Sequence, residues 1–215
     1  MFTGLIQETG QVAGLKKPAG KSATRITIAA SNIPRQLKIG DSVAVSGVCL
    51  TAVSINKKEF SADLAEETLQ RTSLGRLQPG SLVNLELPAK ASDRLGGHVV
   101  QGHVDGVGKL RSLEKIKGRE DWRLSVTLPQ DLVRYVVPRG SIAIEGISLT
   151  VARVRSAEIE VAIVPHTYQA TNLHVLRSGS VVNVEVDVLA KYAEEMSRQR
   201  SPGKLTVAQL VKLGF

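Results

Sequence analysis

The chain has 215 residues and a net charge of +8, with 42% hydrophobic and 22% charged side chains. These proportions are ordinary for a soluble globular protein of one or two domains, and the single cysteine excludes an internal disulfide and a zinc cluster. Apolar runs stay below about 18 residues and the first residues lack the features of a secretory signal. We therefore expect a cytoplasmic protein with no membrane span.

The basic charge fits a nucleic-acid or anionic-membrane partner, and it fits a solvated basic surface equally simply. No group of lysines and arginines reaches the five or six like charges of a basic arm. Aromatic residues make up 3% of the chain, too few to stack on bases. We expect no nucleic-acid partner, and steeply salt-dependent binding to nucleic acid would favour the opposite reading.

Short stretches rich in Val and Ile alternate along the chain and are separated by Gly, Asn, Pro and Asp every 8–12 residues or so. In chain order they read RITIAA, SVAVSG, RLSVTL, SIAIEG, IEVAIV and VNVEVDV. This pattern predicts an antiparallel sandwich or small closed barrel with an aliphatic core. Short helices are predicted at residues 65–71 and 129–135.

The tail after Asp187 reads LAKYAEEMSRQR and has helical periodicity. Ser201-Pro202-Gly203 is expected to end this helix, and Thr206 is expected to cap a second one, VAQLVKLGF. Leu189, Tyr192 and Met196 form one apolar stripe. The pattern leaves open whether an oligomer contact or the chain's own surface buries the stripe.

The chain contains an internal repeat. SVAVSGVCLTAV at residues 42–53 returns ninety-nine residues later as SIAIEGISLTVA, and VNLE at residues 83–86 returns as VNVE. A period this long indicates a duplicated domain rather than a solenoid. The sequence therefore predicts an all-β protein of two similar barrels, with boundaries at residues 1–97, 98–188 and a tail at 189–215.

The two copies differ at positions that can carry chemistry. Cys49 corresponds to Ser148, Leu5 to His103, and Pro88 to Asp187. An inert buried cysteine and a histidine bonded to nearby backbone are the ordinary alternatives. We interpret the pattern as two homologous small-molecule sites, one with Ser42, Cys49 and Thr51, the other with His103, Ser148, Thr150 and Asp187. No phosphate loop is found, and the five-residue spacing of His98 and His103 argues against a shared metal.

Several of these segments together resemble the riboflavin synthase family of the alpha-chain type, a lumazine-binding repeat family. They are MFTGLI, GVCLT, GGHVVQGHVDG and GSIAIEGISLTV, and the resemblance extends over residues 1–195. It implies two six-stranded Greek-key barrels plus a C-terminal helix, in a homotrimer held by the tail helices. It also implies an active site between the amino-terminal barrel of one subunit and the carboxy-terminal barrel of its neighbour, and a possible association with lumazine synthase.

The reaction implied by the resemblance joins two molecules of 6,7-dimethyl-8-ribityllumazine. One gives a four-carbon unit to the other, which yields riboflavin and 5-amino-6-(ribitylamino)uracil, with no cofactor and no metal. A non-catalytic relative that binds lumazine or flavin is the main alternative, and the retained reactive residues argue against it.

The resemblance implies which residues line the two pockets. The first pocket is expected to use Gly4, Leu5, Ile6, Cys49, Leu50, Thr51, Asp63, Leu64, Ala65, Glu66, Glu67 and Thr68. The second is expected to use Gly102, His103, Val104, Arg139, Ser148, Leu149, Thr150, Val164, Pro165, His166, Thr167, Tyr168 and Gln169. Phe2 matches a position that lines the cavity in the family, and the alternative is that it only packs in the core.

His103 is the first candidate for proton transfer, because imidazole titrates near neutrality. Thr150 positions or relays, and Ser42, Cys49 and Asp187 match positions near the reacting centre. Cys49 acts either as a thiolate nucleophile or as a neutral hydrogen-bonding group. This chain departs from the family at Pro138–Arg139, where Lys is common, and at Ser46 and Glu145, where Asn and Asp are common.

Overall fold

The computed structural model describes residues 1–17 and 23–200 and contains two closed antiparallel barrels of six strands each. The first comprises β1 (Glu8–Lys16), β2 (Thr24–Ala29), β3 (Ser42–Val45), β4 (Val48–Ile55), β5 (Glu59–Leu64) and β6 (Leu82–Glu86). The second comprises β7 (Gly106–Lys115), β8 (Trp122–Thr127), β9 (Ser141–Ile144), β10 (Ile147–Arg155), β11 (Glu158–Ile163) and β12 (Val181–Val186). The predicted all-β fold is confirmed.

The strand order is the same in both barrels. Around the first barrel the strands run β1-β2-β5-β4-β3-β6, and the second repeats this order with the equivalent strands. The strands thus return across one another in the Greek-key manner. Period-two alternation places Ile26 and Ile28 of β2 inside the first barrel, and Leu124 and Val126 of β8 inside the second. Each such fully buried side chain stabilises the fold by about 1.5–3 kcal/mol.

The barrels end at Glu86 and Val186, and residues 87–105 connect them. The connecting segment is paired with the chain start through an isolated bridge between Phe2 and Val100. The exact division at residues 97 and 188 stays a prediction.

In the described part of the chain, three short or terminal α-helices flank the strands: α1 (Glu66–Arg71), α2 (Pro165–Ala170) and α3 (Val188–Arg200). The predicted helix at residues 129–135 is wrong in extent, since only Val133–Tyr135 is helical, as a 3₁₀ turn. Leu132 N donates to Pro129 O and Tyr135 N to Leu132 O, so the segment forms successive tight turns instead of an α-helix, and Val136 is already extended ahead of Pro138. None of the described helices is long and apolar enough to span a membrane. The predicted helix stop at Ser201-Pro202-Gly203 and the second helix capped by Thr206 lie outside the described residues.

Helix α3 lies against the second barrel through polar contacts. Lys191 Nζ is 2.6 Å from Asp105 Oδ1, and Arg134 Nε is 3.6 Å from Glu194 Oε2. The stripe of Leu189, Tyr192 and Met196 is exposed, with 54–66% of each residue accessible. The barrel therefore holds one side of α3 and leaves its apolar stripe uncovered.

Two hairpin turns meet where the barrels touch. Gly47 and Gly146 pack backbone to backbone, and a Cβ added to Gly47 would lie 2.7 Å from the nitrogen of Gly146. Both turns have positive φ at two successive residues, 45° and 83° at Ser46 and Gly47, 51° and 77° at Glu145 and Gly146. Such type I′ turns favour Asn or Asp followed by Gly. In this chain Ser46 and Glu145 occupy the first position. The departures from the family pattern at residues 46 and 145 therefore both lie at the first positive-φ position of such a turn.

A buried polar network joins the two barrels around these turns. The side-chain amide of Asn84 donates to Glu145 O (2.9 Å), and that of Asn183 donates to Ser46 O (2.8 Å), so the two contacts mirror each other. Asn183 N donates to the Glu145 carboxylate as Asn84 N does to Ser46 Oγ. The carboxylate breaks the symmetry because it also accepts from Asn172 Nδ2 and Ser73 Oγ. Burial raises the pKa of Glu145. This network stabilises the contact between the two barrels.

Candidate active site

The two halves of the chain exchange the segments that precede their first strands. The carbonyl of Gly4, from the first repeat, accepts from Ser148 N of the second barrel (2.8 Å). The carbonyl of Gly102, from the second repeat, accepts from Cys49 N of the first barrel (2.9 Å). Both glycines have φ near +77°, at 76° and 78°, and a Cβ on either would lie 2.6 Å from the Cβ of its partner. The close approach therefore requires glycine.

This exchange corrects the predicted grouping of the pocket residues. Gly4, Leu5 and Ile6 were expected beside Cys49, yet Ile6 packs on the core of the second barrel. Gly102, His103 and Val104 were expected beside Ser148, yet Val104 packs on the core of the first barrel. The sequence pattern places a strand within its own repeat but does not encode which barrel a connecting segment covers.

We call the first half-site the surface formed by Ser42, Cys49, Thr51 and the Gly102–His103 segment. Ser42 and Thr51 face each other across β3 and β4. Cys49 and Thr51 point away from the barrel interior, because their neighbours Val48, Leu50 and Ala52 on β4 are buried. His103 is exposed next to Gly102. An accessible thiol, hydroxyls and an imidazole thus share one surface.

The second half-site is formed by Ser148, Thr150, His98 and the Gly4–Leu5 segment. Ser148 and Thr150 face outward on β10, as Cys49 and Thr51 do on β4. Nδ1 of His98 lies 2.7 Å from Oγ of Ser148, and its Nε2 is buried and has no hydrogen-bond partner among the described residues.

The electrostatics of His98 favour a neutral ring. Burial lowers the pKa of His98, and the carboxylate of Asp187 opposes this effect by attracting the charged form. A neutral imidazole can accept the proton of the Ser148 hydroxyl, which is the arrangement that activates a serine oxygen. From the sequence, His98 was considered only as a partner of His103 at a shared metal, a site that the spacing argued against, and this contact was missed. The pairing depends on the fold, since fifty residues separate the two side chains.

Two buried carboxylates hold the exchanged segments. Glu86 of β6 accepts from Thr3 N (2.7 Å), Thr3 Oγ1 (2.8 Å) and Gly4 N (3.0 Å). Glu185 of β12 accepts from Gln101 N (2.6 Å) and Gly102 N (3.0 Å). The repeated NLE and NVE letters of the two last strands were the sequence signal for this pair, and it was missed.

Burial raises the pKa of Glu86, whereas the Thr3 and Gly4 donors favour its charged form. Burial also raises the pKa of Glu185 to about 7, with the Gln101 and Gly102 amides acting in the opposite direction.

Several predicted lining residues turn their side chains into the cores. Leu50 and Leu64 belong to the core of the first barrel, and Leu149 to that of the second. Phe2 is fully buried where the barrels meet, together with Val100. Because their side chains are buried, these residues can contact a ligand only with their main-chain N–H and C=O groups.

We call the segments that lead from β5 into α1 (residues 63–68) and from β11 into α2 (residues 163–169) the two rims. The two rims differ in chemistry. In the first barrel Arg25 forms a two-point ion pair with Asp63, at 2.7 and 2.9 Å. In the second barrel Trp122 stacks on Tyr168, with ring centroids 3.9 Å apart. The remaining predicted residues of this kind are exposed or half-buried on the two rims: Ala65, Glu66, Glu67 and Thr68, then Val164, Pro165, His166, Thr167 and Gln169.

Arg139 lies in the turn that precedes β9, with φ at 68°. Its amide donates to the carbonyl of Val151, the residue that follows Thr150 of the second half-site. Each half-site reaches the protein surface, since Thr51 and His103 of the first and Thr150 of the second are exposed. One surface hollow, lined by Pro34, Arg35, Ile55, Asn56 and Lys57, lies outside both half-sites.

Comparison with known proteins agrees with the duplication. The lumazine binding domain family matches residues 3–88 and again residues 101–187. Riboflavin synthase of Actinobacillus pleuropneumoniae is 44% identical over 195 residues, covering 91% of this chain and 89% of the relative. Riboflavin synthase of Mycobacterium bovis is 43% identical over 203 residues, covering 92% and 98%.

A solved structure shares the fold. The crystal structure of LumP complexed with riboflavin superposes with a TM-score of 0.79 at 25% identity, covering 86% of this chain and 99% of that one. Twin six-stranded barrels, each matched by the lumazine binding domain, define the class of tandem lumazine-binding barrel proteins. Within that class, the identity to its relatives over nearly its full length shows that this chain belongs to the riboflavin synthase family.

Proposed function

We propose that this protein is a transferase that converts two molecules of 6,7-dimethyl-8-ribityllumazine into riboflavin and 5-amino-6-(ribitylamino)uracil. A four-carbon unit passes from one lumazine to the other, and the atoms of the two substrates equal those of the two products. The carrying observation is the pair of half-sites, which share one backbone frame and differ in their reactive side chains. Family membership and the riboflavin-bound LumP fold support the same substrate class.

Two copies of one site suit a reaction that consumes two copies of one substrate. Holding both lumazines in fixed orientation replaces a chance encounter with an intramolecular step, which can lower a barrier by about 7–11 kcal/mol. Donor and acceptor must nevertheless behave differently. Cys49 in one half-site and the Ser148–His98 pair in the other supply that difference.

In this proposal the first half-site carries the proton transfer through His103, whose imidazole is exposed in that half-site. Ser42, Cys49 and Thr51 hydrogen-bond the same lumazine, and the Cys49 thiol is its one potential nucleophile. In the second half-site Ser148 adds to or orients the other lumazine, with His98 as its base.

The other predicted groups have supporting roles. Thr150 and Asp187 flank the Ser148–His98 pair, and the electrostatic effect of Asp187 on His98 supports this placement. Main-chain groups near Leu50, Leu149 and the rims bind the pyrimidinedione edge. Glu66, Thr68 and Thr167 face the ribityl hydroxyls.

The exposed side chains of the half-sites support an oligomer. A reaction between two lumazines needs both shielded from water, and in one chain His103 of the first half-site and Thr150 of the second are exposed. We propose a cytoplasmic homotrimer in which the first half-site of one subunit faces the second half-site of its neighbour. The uncovered stripe of Leu189, Tyr192 and Met196 supports a subunit contact along α3. Association with lumazine synthase would supply the substrate directly.

The direct test incubates the purified protein with 6,7-dimethyl-8-ribityllumazine and follows both products. Equal amounts of riboflavin and the pyrimidine, formed over many turnovers, support the proposal. Tight stoichiometric binding of the lumazine without riboflavin would favour the non-catalytic relative and overturn it.

A further inference from the structure

We propose that Glu86 and Glu185 are positioning residues that fix the lining of the opposite barrel's half-site. Each carboxylate lies on the last strand of its own barrel, and each binds the exchanged segment that covers the other barrel. Glu86 therefore acts on the second half-site through Gly4, and Glu185 acts on the first through Gly102.

The backbone geometry explains why a carboxylate is needed. Gly4 and Gly102 have positive φ, so the chain turns there and their amides leave the ladder of a sheet. Each amide and the one before it then point at a single spot, where two acceptor oxygens can bind both. Above about pH 7, where Glu185 with its pKa of about 7 is charged, a carboxylate offers two acceptors without a donor and its charge strengthens both bonds, so the variants below are compared at that pH.

The burial of these carboxylates indicates that the contact matters. Glu86 and Glu185 are each 3% exposed, and burying a carboxylate is unfavourable unless hydrogen bonds compensate. The raised pKa of both groups reflects that penalty. The only carboxylate as buried as these in the described part of the chain is Glu145, at 4%, which binds the contact between barrels instead of a half-site segment.

The two positioning residues are expected to act on different kinetic steps, an expectation that rests on the proposed function. The segment held by Glu185 continues into His103, so its release should displace the proton-transfer group. The segment held by Glu86 continues into Leu5, which has no titratable group, so its release should weaken binding.

The test compares Glu185→Gln and Glu86→Gln, with Glu145→Gln as the matched control. Glutamine keeps the shape of the side chain but presents an NH₂ group to one of the two amide donors. We expect Glu185→Gln to lower kcat at least tenfold with little change in KM. We expect Glu86→Gln to raise KM at least tenfold with a smaller effect on kcat, and Glu145→Gln to lower the melting temperature while kcat and KM stay near wild type.

A change of the same parameter in both variants, or effects no larger than those of Glu145→Gln, would overturn the proposal. If a glutamine variant does not fold, Glu185→Asp and Thr3→Val replace it. Thr3→Val removes one donor to Glu86 and should raise KM modestly, and an unchanged KM would also count against the proposal.

Failure of the proposed function is a separate outcome, because wild-type protein that forms no riboflavin shows it directly. In that case riboflavin binding, followed by flavin fluorescence, tests the positioning role. Glu86→Gln and Glu185→Gln should then each weaken binding more than Glu145→Gln does. Equal affinity in all three variants would overturn it.

Discussion

Gly47 and Gly146 meet with their backbones in contact, so the two repeats join at the tips of equivalent hairpins. Substituting Gly146→Ala adds a Cβ that would lie 2.6 Å from Gly47 N, in a residue whose φ is 77°. We expect a loss of about 2–4 kcal/mol in the free energy of unfolding, from positive-φ strain plus steric overlap. Denaturant unfolding measures it.

Gly118→Ala is the control for this prediction. Gly118 has φ at 75° but nothing within 4 Å of an added Cβ, so it isolates the backbone term. We expect a loss of about 1–2 kcal/mol there. Equal losses at both positions would show that the contact between the barrels tolerates the extra methyl group.

The exchange of segments can be tested with the thiol of Cys49, the single cysteine of the chain. Gly102→Ala should push the covering segment away from Cys49 and speed its labelling by a thiol reagent roughly threefold or more. Gly4→Ala makes an equal clash, but with Ser148, and should leave the labelling rate unchanged. The reverse pattern would restore the grouping expected from the sequence.

The two barrels could be predicted from the sequence, whereas the half-sites could be predicted only in part. The difference arises because the sequence pattern reports local geometry and not contacts between distant segments. Alternation in segments such as RITIAA and the repeat itself report local backbone geometry and duplication, which both persist in the fold. The contacts of Gly4 with Ser148 and of His98 with Ser148 join distant segments whose letters carry no such period. The residue types at the sites could be chosen from the sequence, and their partners required the structure.

The exposed apolar stripe of helix α3 is expected to form a contact between subunits. The double substitution Tyr192→Glu and Met196→Glu places charges on that stripe, where they would be desolvated in a subunit contact. We expect light scattering to give the 23.0 kDa of one chain instead of a trimer, with loss of turnover and retained riboflavin binding. Lys117→Glu adds charge elsewhere and should keep both mass and turnover. A monomeric wild type would disprove the proposed trimer.

The role of His103 is tested by His103→Gln, which keeps a polar side chain but removes the titratable ring. Loss of a general acid or base lowers turnover by about 10²–10⁴-fold. We expect kcat to fall within this range while riboflavin affinity changes little. His174→Gln, which alters a histidine bonded to Thr171 O, should have wild-type kinetics. Equal activity of the two variants would remove His103 from the catalytic residues.

The pH dependence of stability should separate two buried groups. Burial lowers the pKa of His98, so below about pH 6.5 the unfolded chain binds a proton that the native ring does not, and stability falls with acidification. His98→Gln removes this contribution. Its melting temperature should therefore drop less than that of the wild type between about pH 7.5 and 5.5.

Glu185 should act with the opposite sign in the same interval. Its pKa is raised to about 7, so the native state takes up a proton before the unfolded chain does, and acidification stabilises the fold. Glu185→Gln loses that gain, and its melting temperature should drop more than that of the wild type over the same interval. The two variants thus deviate from the wild type in opposite directions. If both variants deviate in the same direction, the pKa of His98 or of Glu185 is shifted opposite to the direction stated here. The argument that burial shifts the pKa of that side chain would then fail.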